Sequence, residues 1–286
     1  MIPVRWQTMT EKSTNSLNGP ELLKTFEDNW QTEMGAWFPG ERVVLRGKDV
    51  FTELSNQGWM EFLFYAVTGR SSPLAARIIE GIWLISSSYP DPRLWNNRIA
   101  ALGGTSRTTA ALAVAAGNAA SEATLYGLRT SRGAFDFLKR TNKKLEAGIP
   151  LDTIIKKELK KYRAIYGYGR PLVNADERIA PLIKFVKSVG AKESKYLSLA
   201  LSINDYFQAS RYKFQINISA IAAAVAADFG ISIDEFYHLA ALSFVGGIFP
   251  CYIDSREKPE GAFFPLAVDR VNSSPSQVKR LWIPQH

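Results

Sequence analysis

Two runs of very small apolar residues constrain this chain more than any other feature. From Thr108 to Leu125 it reads TTAALAVAAGNAASEATL, and from Ile216 to Phe229 it reads INISAIAAAVAADF. Both are long and alanine-rich enough to be helices. Side chains this small let neighbouring backbones approach closely, so both helices are expected at the centre of a tightly packed helical core. Much of the remaining chain has the same character. GWMEFLFYAV (58–67) is apolar on nearly all sides and stops at Thr68-Gly69-Arg70, Pro73 restarts a helix through Ser86, and another begins near Asp91-Pro92. A helix from about Glu177 to Val189 closes at Gly190, Gly230 closes the second alanine run, and Ser232-Ile233-Asp234 opens a helix expected to run into Gly246-Gly247. VVLRGKDVF (43–51) has the β-branched run and the turn of a short strand before a helix start.

With 286 residues, 46% of them hydrophobic and 22% charged, the chain can bury one sizeable core, or a large domain carrying a smaller one. The opening sixteen residues lack a signal-peptide core and no stretch is uninterruptedly apolar for a membrane span, so the expectation is a cytoplasmic protein with no membrane partner. A single cysteine excludes an internal disulfide and a cysteine metal cage; Cys251 reads as a small buried apolar residue. The net charge of +8 comes largely from a basic amphipathic stretch, 139–163, whose spacing suits a solvated face; the alternative is a surface that draws in a polyphosphate tail, and nucleic acid is not expected. Only two histidines occur. His286 is terminal and His238 sits on an apolar helix, so neither a histidine metal site nor a Ser/His/Asp triad has material to be built from, and no metal is expected.

The order of several motifs resembles the citrate synthase and citryl-CoA lyase superfamily, the short lyase type most closely in length. Arg46-Gly47-Lys48-Asp49 with Glu53-Leu54, and the helix ending Thr68-Gly69-Arg70, resemble the family's early Arg-Gly segment and its first helix end. Leu125-Tyr126-Gly127 stands where the family has Leu/His-His-Gly. GYGRPLVNADERI (167–179) resembles its Gly-x-Gly-His turn and the Asp-Pro-Arg that follows, with register pinned by Gly167, Gly169, Asp176 and Arg178. FQINISAIAAAV and ALSFVGGIFPCYID resemble two later helices. The resemblance implies a mainly α fold with a large domain (1–127 and 217–286), a small closing domain (128–216) and a homodimer.

It also implies carbon–carbon bond chemistry beside a thioester, in which a carboxylate base and two histidines act. Matching positions here hold Tyr126 and Arg170 for the histidines and Asn217 for the aspartate. A neutral amide cannot take a proton, and losing a positioned base typically costs about 10²- to 10⁴-fold. Where the family grips carboxylates, this chain resembles it with Tyr89, Asn174, Phe244 and Phe264, an aromatic wall in place of bidentate clamps. The expectation is a protein acting not on oxaloacetate or citrate but on a less charged acyl or β-keto substrate, carried by coenzyme A or a carrier-protein phosphopantetheine, with Tyr126 as acid/base and Arg170 beside it. The alternative is a catalytically inactive homologue that binds a ligand or regulates a partner. A register error would instead bring in Asp205 or Glu122.

Overall fold

Glycine stops and capping side chains divide the chain into twelve α-helices and three short strands among the residues that the computed structural model describes, 19–29, 32–86, 89–124, 126–170, 175–191 and 195–270. Two compact units divide at Gly58. In the first, α1 (Pro20–Lys24) precedes an antiparallel meander of β1 (Gly35–Phe38), β2 (Arg42–Leu45) and β3 (Lys48–Asp49), with Gly35 opposite Leu45 and Leu45 opposite Lys48. Arg46 and Gly47 both have positive φ, 47° and 84°, the requirement of a two-residue hairpin turn. The predicted strand at 43–51 is therefore a hairpin. The Asp49 carboxylate then accepts from Phe51 N and Thr52 N at 2.8 and 3.0 Å to start a π-helical turn over Val50–Leu54.

The second unit holds α2 (Trp59–Thr68), α3 (Pro73–Ser86), α4 (Trp95–Thr105), α5 (Ala110–Ala120), α6 (Leu128–Glu146), α7 (Leu151–Tyr162), α8 (Ile179–Ser188), α9 (Lys195–Ala209), α10 (Ile218–Asp228), α11 (Ile233–Ala240) and α12 (Val245–Glu257). Its larger core surrounds α10. Every residue from Ala220 to Ala227 is buried there, and α3, α6, α8, α9 and α11 all pack on it. A smaller core joins α4, α5 and α12 through Ala100, Ala113, Ile248 and Tyr252. A Cβ on Gly104 of α4 would collide with Tyr252 O and lie 3.0 Å from Arg256 N; one on Gly103 would lie 2.6 Å from Ala113 Cβ of α5; one on Gly117 would lie 2.9 Å from Asn96 O. Backbone proximity, not side-chain interdigitation, therefore holds these three helices.

Four expectations change. The first alanine run is not enclosed: only Ala113 and Gly117 of α5 are buried and Leu112 is 60% exposed, because small residues serve its contact with α4 and α12 while the opposite face stays open. The helix after Ser232 does not end at Gly246-Gly247. It breaks at residues 241–244 and resumes as α12, which carries both glycines and Pro250 because its packing against α4 outweighs local propensity. Taken as one stretch, Ile233–Glu257 has the length and mean hydropathy, 1.5, for a membrane crossing, which the sequence reading did not anticipate; the break divides it, and both halves pack on other helices. The basic stretch splits at Gly148-Ile149-Pro150 into the ends of α6 and α7.

Two carboxylates fix the ends of α10. Asp228, its last residue, accepts from Tyr196 N and Leu197 N at 2.8 and 3.0 Å and so caps α9. At the other end Asp176, whose side chain is fully buried, accepts from Ile218 N at 2.8 Å, where a negative charge is favoured by the helix dipole. Arg178 completes the arrangement, reaching Asp176 through Nε at 2.8 Å and Nη2 at 2.9 Å. Burial pushes the Asp176 carboxyl up, but the Arg178 hydrogen bonds and charge and the Ile218 N–H outweigh it, and the net pKa lies below the ordinary carboxylate value. A carboxyl depressed in the folded state contributes stability above its unfolded pKa and loses it as pH falls. Asp176→Asn is accordingly expected to cost about 2–3 kcal/mol near pH 7. Urea unfolding should show this gap from the wild type narrowing below about pH 4; a gap independent of pH would remove the charge argument.

Candidate active site

The turn 165–170 is pressed between α6 and α10 by its glycines. Gly167 has φ 91°, and a Cβ there would lie 2.7 Å from Ala220 Cβ and 3.1 Å from Ala134 Cβ; Gly169 has φ 96°. Only glycine adopts such angles without strain. The turn is tied to the segment before α10 by Gly169 N to Gln215 O at 2.5 Å and Asn217 N to Gly167 O at 2.9 Å. Asn217 is the N-cap of α10. Its Oδ1 accepts from Ser219 N at 3.0 Å and its Nδ2 donates to Gly169 O at 2.9 Å. Both ends of the amide are thus committed to the backbone, and a carboxylate could make only one of the two bonds.

A cavity of about 1050 Å³ opens between the two cores of the second unit. It brings together Tyr89, Tyr126, Arg170, Asn217 and Phe244 of the residues singled out in the sequence. Tyr126 is held by the turn at Gly127, whose φ is 89° and where a Cβ would collide with Ser121 O, immediately before α6. Its ring meets Trp95 edge-on with centroids 5.7 Å apart and lies at a tilt to Phe244, also at 5.7 Å. Aromatic pairs at such separations add to simple burial. Phe264 does not line this cavity; it is 74% exposed with φ 43° and its ring stands against Phe263. Asn174 lies outside the described residues. Asp205 and Glu122 are exposed and are not part of the lining, and Glu122 is hydrogen-bonded by the Tyr237 hydroxyl.

The electrostatics differ from what the motifs alone suggest. Arg170 donates to Ala175 O at 2.6 Å and to Glu177 at 2.8 Å. Arg178, also in the lining, interacts electrostatically with Tyr126: burial works against its charge, the Asp176 carboxylate overcomes that, and Tyr126 acts in the same direction as Asp176. Asp176 and Arg178, which pin the register of the family resemblance, carry in their Asp-x-Arg spacing the signal of a paired charge. Farther along the lining, Arg140 holds Glu158 through both terminal nitrogens at 2.8 and 3.2 Å and Asp136 through Nε at 2.6 Å. No local pattern announces that pair, since it joins α6 to α7.

Among the described residues, every arginine of the lining has a carboxylate partner: Arg93 with Asp91, Arg140 with Asp136 and Glu158, Arg170 with Glu177, and Arg178 with Asp176. The acids of the lining, Asp136, Glu158 and Asp176, are the other halves of these pairs. No group of three or more metal-ligating side chains occurs among the described residues. What remains for a ligand is an aromatic corner, a phenol next to a neutralised guanidinium, and the dipoles of two helix starts.

No protein-family model and no curated protein matches the chain in sequence. Its architecture, in contrast, is shared with solved structures. Citryl-CoA lyase from Hydrogenobacter thermophilus superimposes with a TM-score of 0.75 over 88% of this chain and 97% of that one at 16% identity. ATP citrate lyase from Methanothrix soehngenii, in complex with citrate and coenzyme A, gives 0.70 over 91% of this chain and 45% of that one at 18% identity. Citrate synthase from Pyrobaculum aerophilum gives 0.56 over 80% and 55% at 21% identity. At these identities the likeness speaks for architecture: the chain has the mainly α-helical fold of the citrate synthase and citryl-CoA lyase superfamily.

Proposed function

We propose that this protein uses a citrate-synthase-like cavity for a less charged acyl or β-keto thioester and does not act on oxaloacetate or citrate. The observation that carries the reading is the commitment of Asn217: at the position matching the family's carboxylate base stands an amide bonded on one side to Ser219 N and on the other to Gly169 O. The paired arginines support it. A dicarboxylate would have to displace existing carboxylates, each held by hydrogen bonds to a charged group worth about 1.5–3 kcal/mol. An apolar acyl chain instead gains contact with Trp95, Tyr126 and Phe244. In this reading Tyr126 donates or accepts the proton at the substrate carbonyl, with Arg178 stabilising negative charge on the phenolic oxygen. Coenzyme A or a carrier-protein phosphopantetheine presents the substrate, and the reaction is an acyl transfer, a lyase cleavage or a cyclisation.

Residues 128–216 serve as the small closing domain in the same reading, and the chain works as a homodimer. The exposed apolar side chains Leu102 of α4, Leu112 of α5 and Phe249 and Ile253 of α12, 43–60% accessible on three helices that pack on one another, favour the dimer, because apolar surface gathered on neighbouring elements gains from being covered.

A second reading has its own support. Asn217 and Asp176 are both consumed by the α10 start, which suits a non-catalytic homologue that binds a ligand or regulates a partner enzyme.

Incubating the purified protein with oxaloacetate and acetyl-CoA should release no free thiol; robust release would sink the proposal. With acetoacetyl-CoA and longer β-keto thioesters, consumption of the substrate is expected, followed by chromatography of substrate and products and slowed about 10²- to 10⁴-fold by Tyr126→Phe. Binding without turnover, unaltered by that substitution, would favour the regulatory reading. Asn217→Asp is expected to lose the bond donated to Gly169 O and with it about 1–3 kcal/mol of stability, read by thermal unfolding. An unchanged midpoint would show the amide to be uncommitted. Sedimentation at micromolar concentration should give twice 31.9 kDa, and Phe249→Glu should return the monomer mass; a wild-type monomer would exclude the dimer.

A further inference from the structure

Four of the residues that α6 contributes to the cavity wall form one stripe. Thr130, Gly133, Phe137 and Arg140 recur at three- and four-residue spacing, which places them on a single helix face over about 15 Å of its length. Tyr126 stands at the N-terminal end of the stripe, two residues before α6 begins. At the other end the Arg140 guanidinium is clamped by Glu158. Gly133 falls between them, and there the ring of Tyr166 rests on the helix backbone: a Cβ on Gly133 would lie 2.7 Å from Tyr166 Cγ. The only side chain that permits this seat is the hydrogen of glycine. Tyr166 is itself a lining residue and 41% exposed, so its ring stands across the stripe while its edge reaches solvent.

We infer that Tyr166, seated on Gly133, partitions the cavity and sets the length of apolar chain that can lie along α6 beyond the Tyr126 corner. This rests on the acyl-substrate reading above and deepens it by naming a specificity-determining residue. A chain whose carbonyl end lies at Tyr126 gains apolar contact until it reaches the Tyr166 ring. Further methylenes must displace that ring, and the Arg140–Glu158 pair beyond it offers them no apolar surface. Neither Tyr166 nor Gly133 takes part in proton transfer, so their substitution changes which chains fit without touching the reacting end.

The test is isothermal titration of saturated acyl-CoA thioesters of increasing chain length into the full-length protein. For the wild type, affinity should rise about fourfold per added methylene and then level off at a defined length. Tyr166→Ala should move that limit to longer chains by at least two methylenes, whereas Tyr166→Phe, which keeps the ring on Gly133, should leave it in place. The shortest thioester should bind all three proteins alike, which shows that the fold is retained; should the alanine variant lose that binding, Tyr166→Leu takes its place. An unchanged limit in a variant that still binds the shortest chain would overturn the inference while leaving the acyl reading intact. If no thioester binds the wild type, the acyl reading fails and the partition falls with it.

Discussion

The start of α10 is the constraint on which the rest depends. A helix buried along nearly its whole length cannot leave its first amide groups unsatisfied, since each orphan donor costs about 1–3 kcal/mol. Here two side chains do that work from two places in the chain. Asn217 caps from within, Asp176 reaches in from the loop before α8, and the Asn217 amide extends the connection to the glycine turn at 167–169. The same atoms that close the core therefore line the cavity. Chemistry at this point is bounded by folding: a side chain there is free to react only to the extent that the helix does not need it.

Charge in the cavity follows a related logic. Arginines in a partly buried cavity are costly unless paired, and each one in this lining meets a carboxylate of the same chain. Pairing makes the wall nearly neutral from a ligand's point of view while keeping strong dipoles in place. In the proposed reading such a wall discriminates against multiply charged ligands more than it attracts any one of them, and the selective attraction passes to the aromatic corner of Trp95, Tyr126 and Phe244.

Local chemistry made much of the fold readable. The stop at Gly69, the restart at Pro73, the turn at Gly167 and Gly169, and the cap at Ser232 each follow from what a single residue permits, and each lies where the sequence places it. The shared architecture was legible for the same reason, as an ordered series of such points. Features that depend on distant partners were not. The open face of α5, the continuation of α12 through Gly246 and Gly247, the pairing of Arg140 with Glu158 and the placement of Arg178 and Tyr126 in one cavity lining all arise from packing between segments far apart in the chain. At the site, the cavity gathers Tyr89, Tyr126, Arg170, Asn217 and Phe244, which motif order had already pointed to, whereas Phe264 lies elsewhere because the segment carrying it follows α12 away from the lining.

The glycine contacts among α4, α5 and α12 separate two kinds of position. At Gly103, Gly104 and Gly117 even one added carbon meets a neighbouring helix, so those sites are closed to change. Tyr126 and Arg170, in contrast, stand on turns that line the cavity, where a different side chain meets no close-packed helix backbone of this kind. A framework locked by the absence of side chains can thus admit different groups at its cavity, and in the proposed reading that is how one architecture persists with altered chemistry.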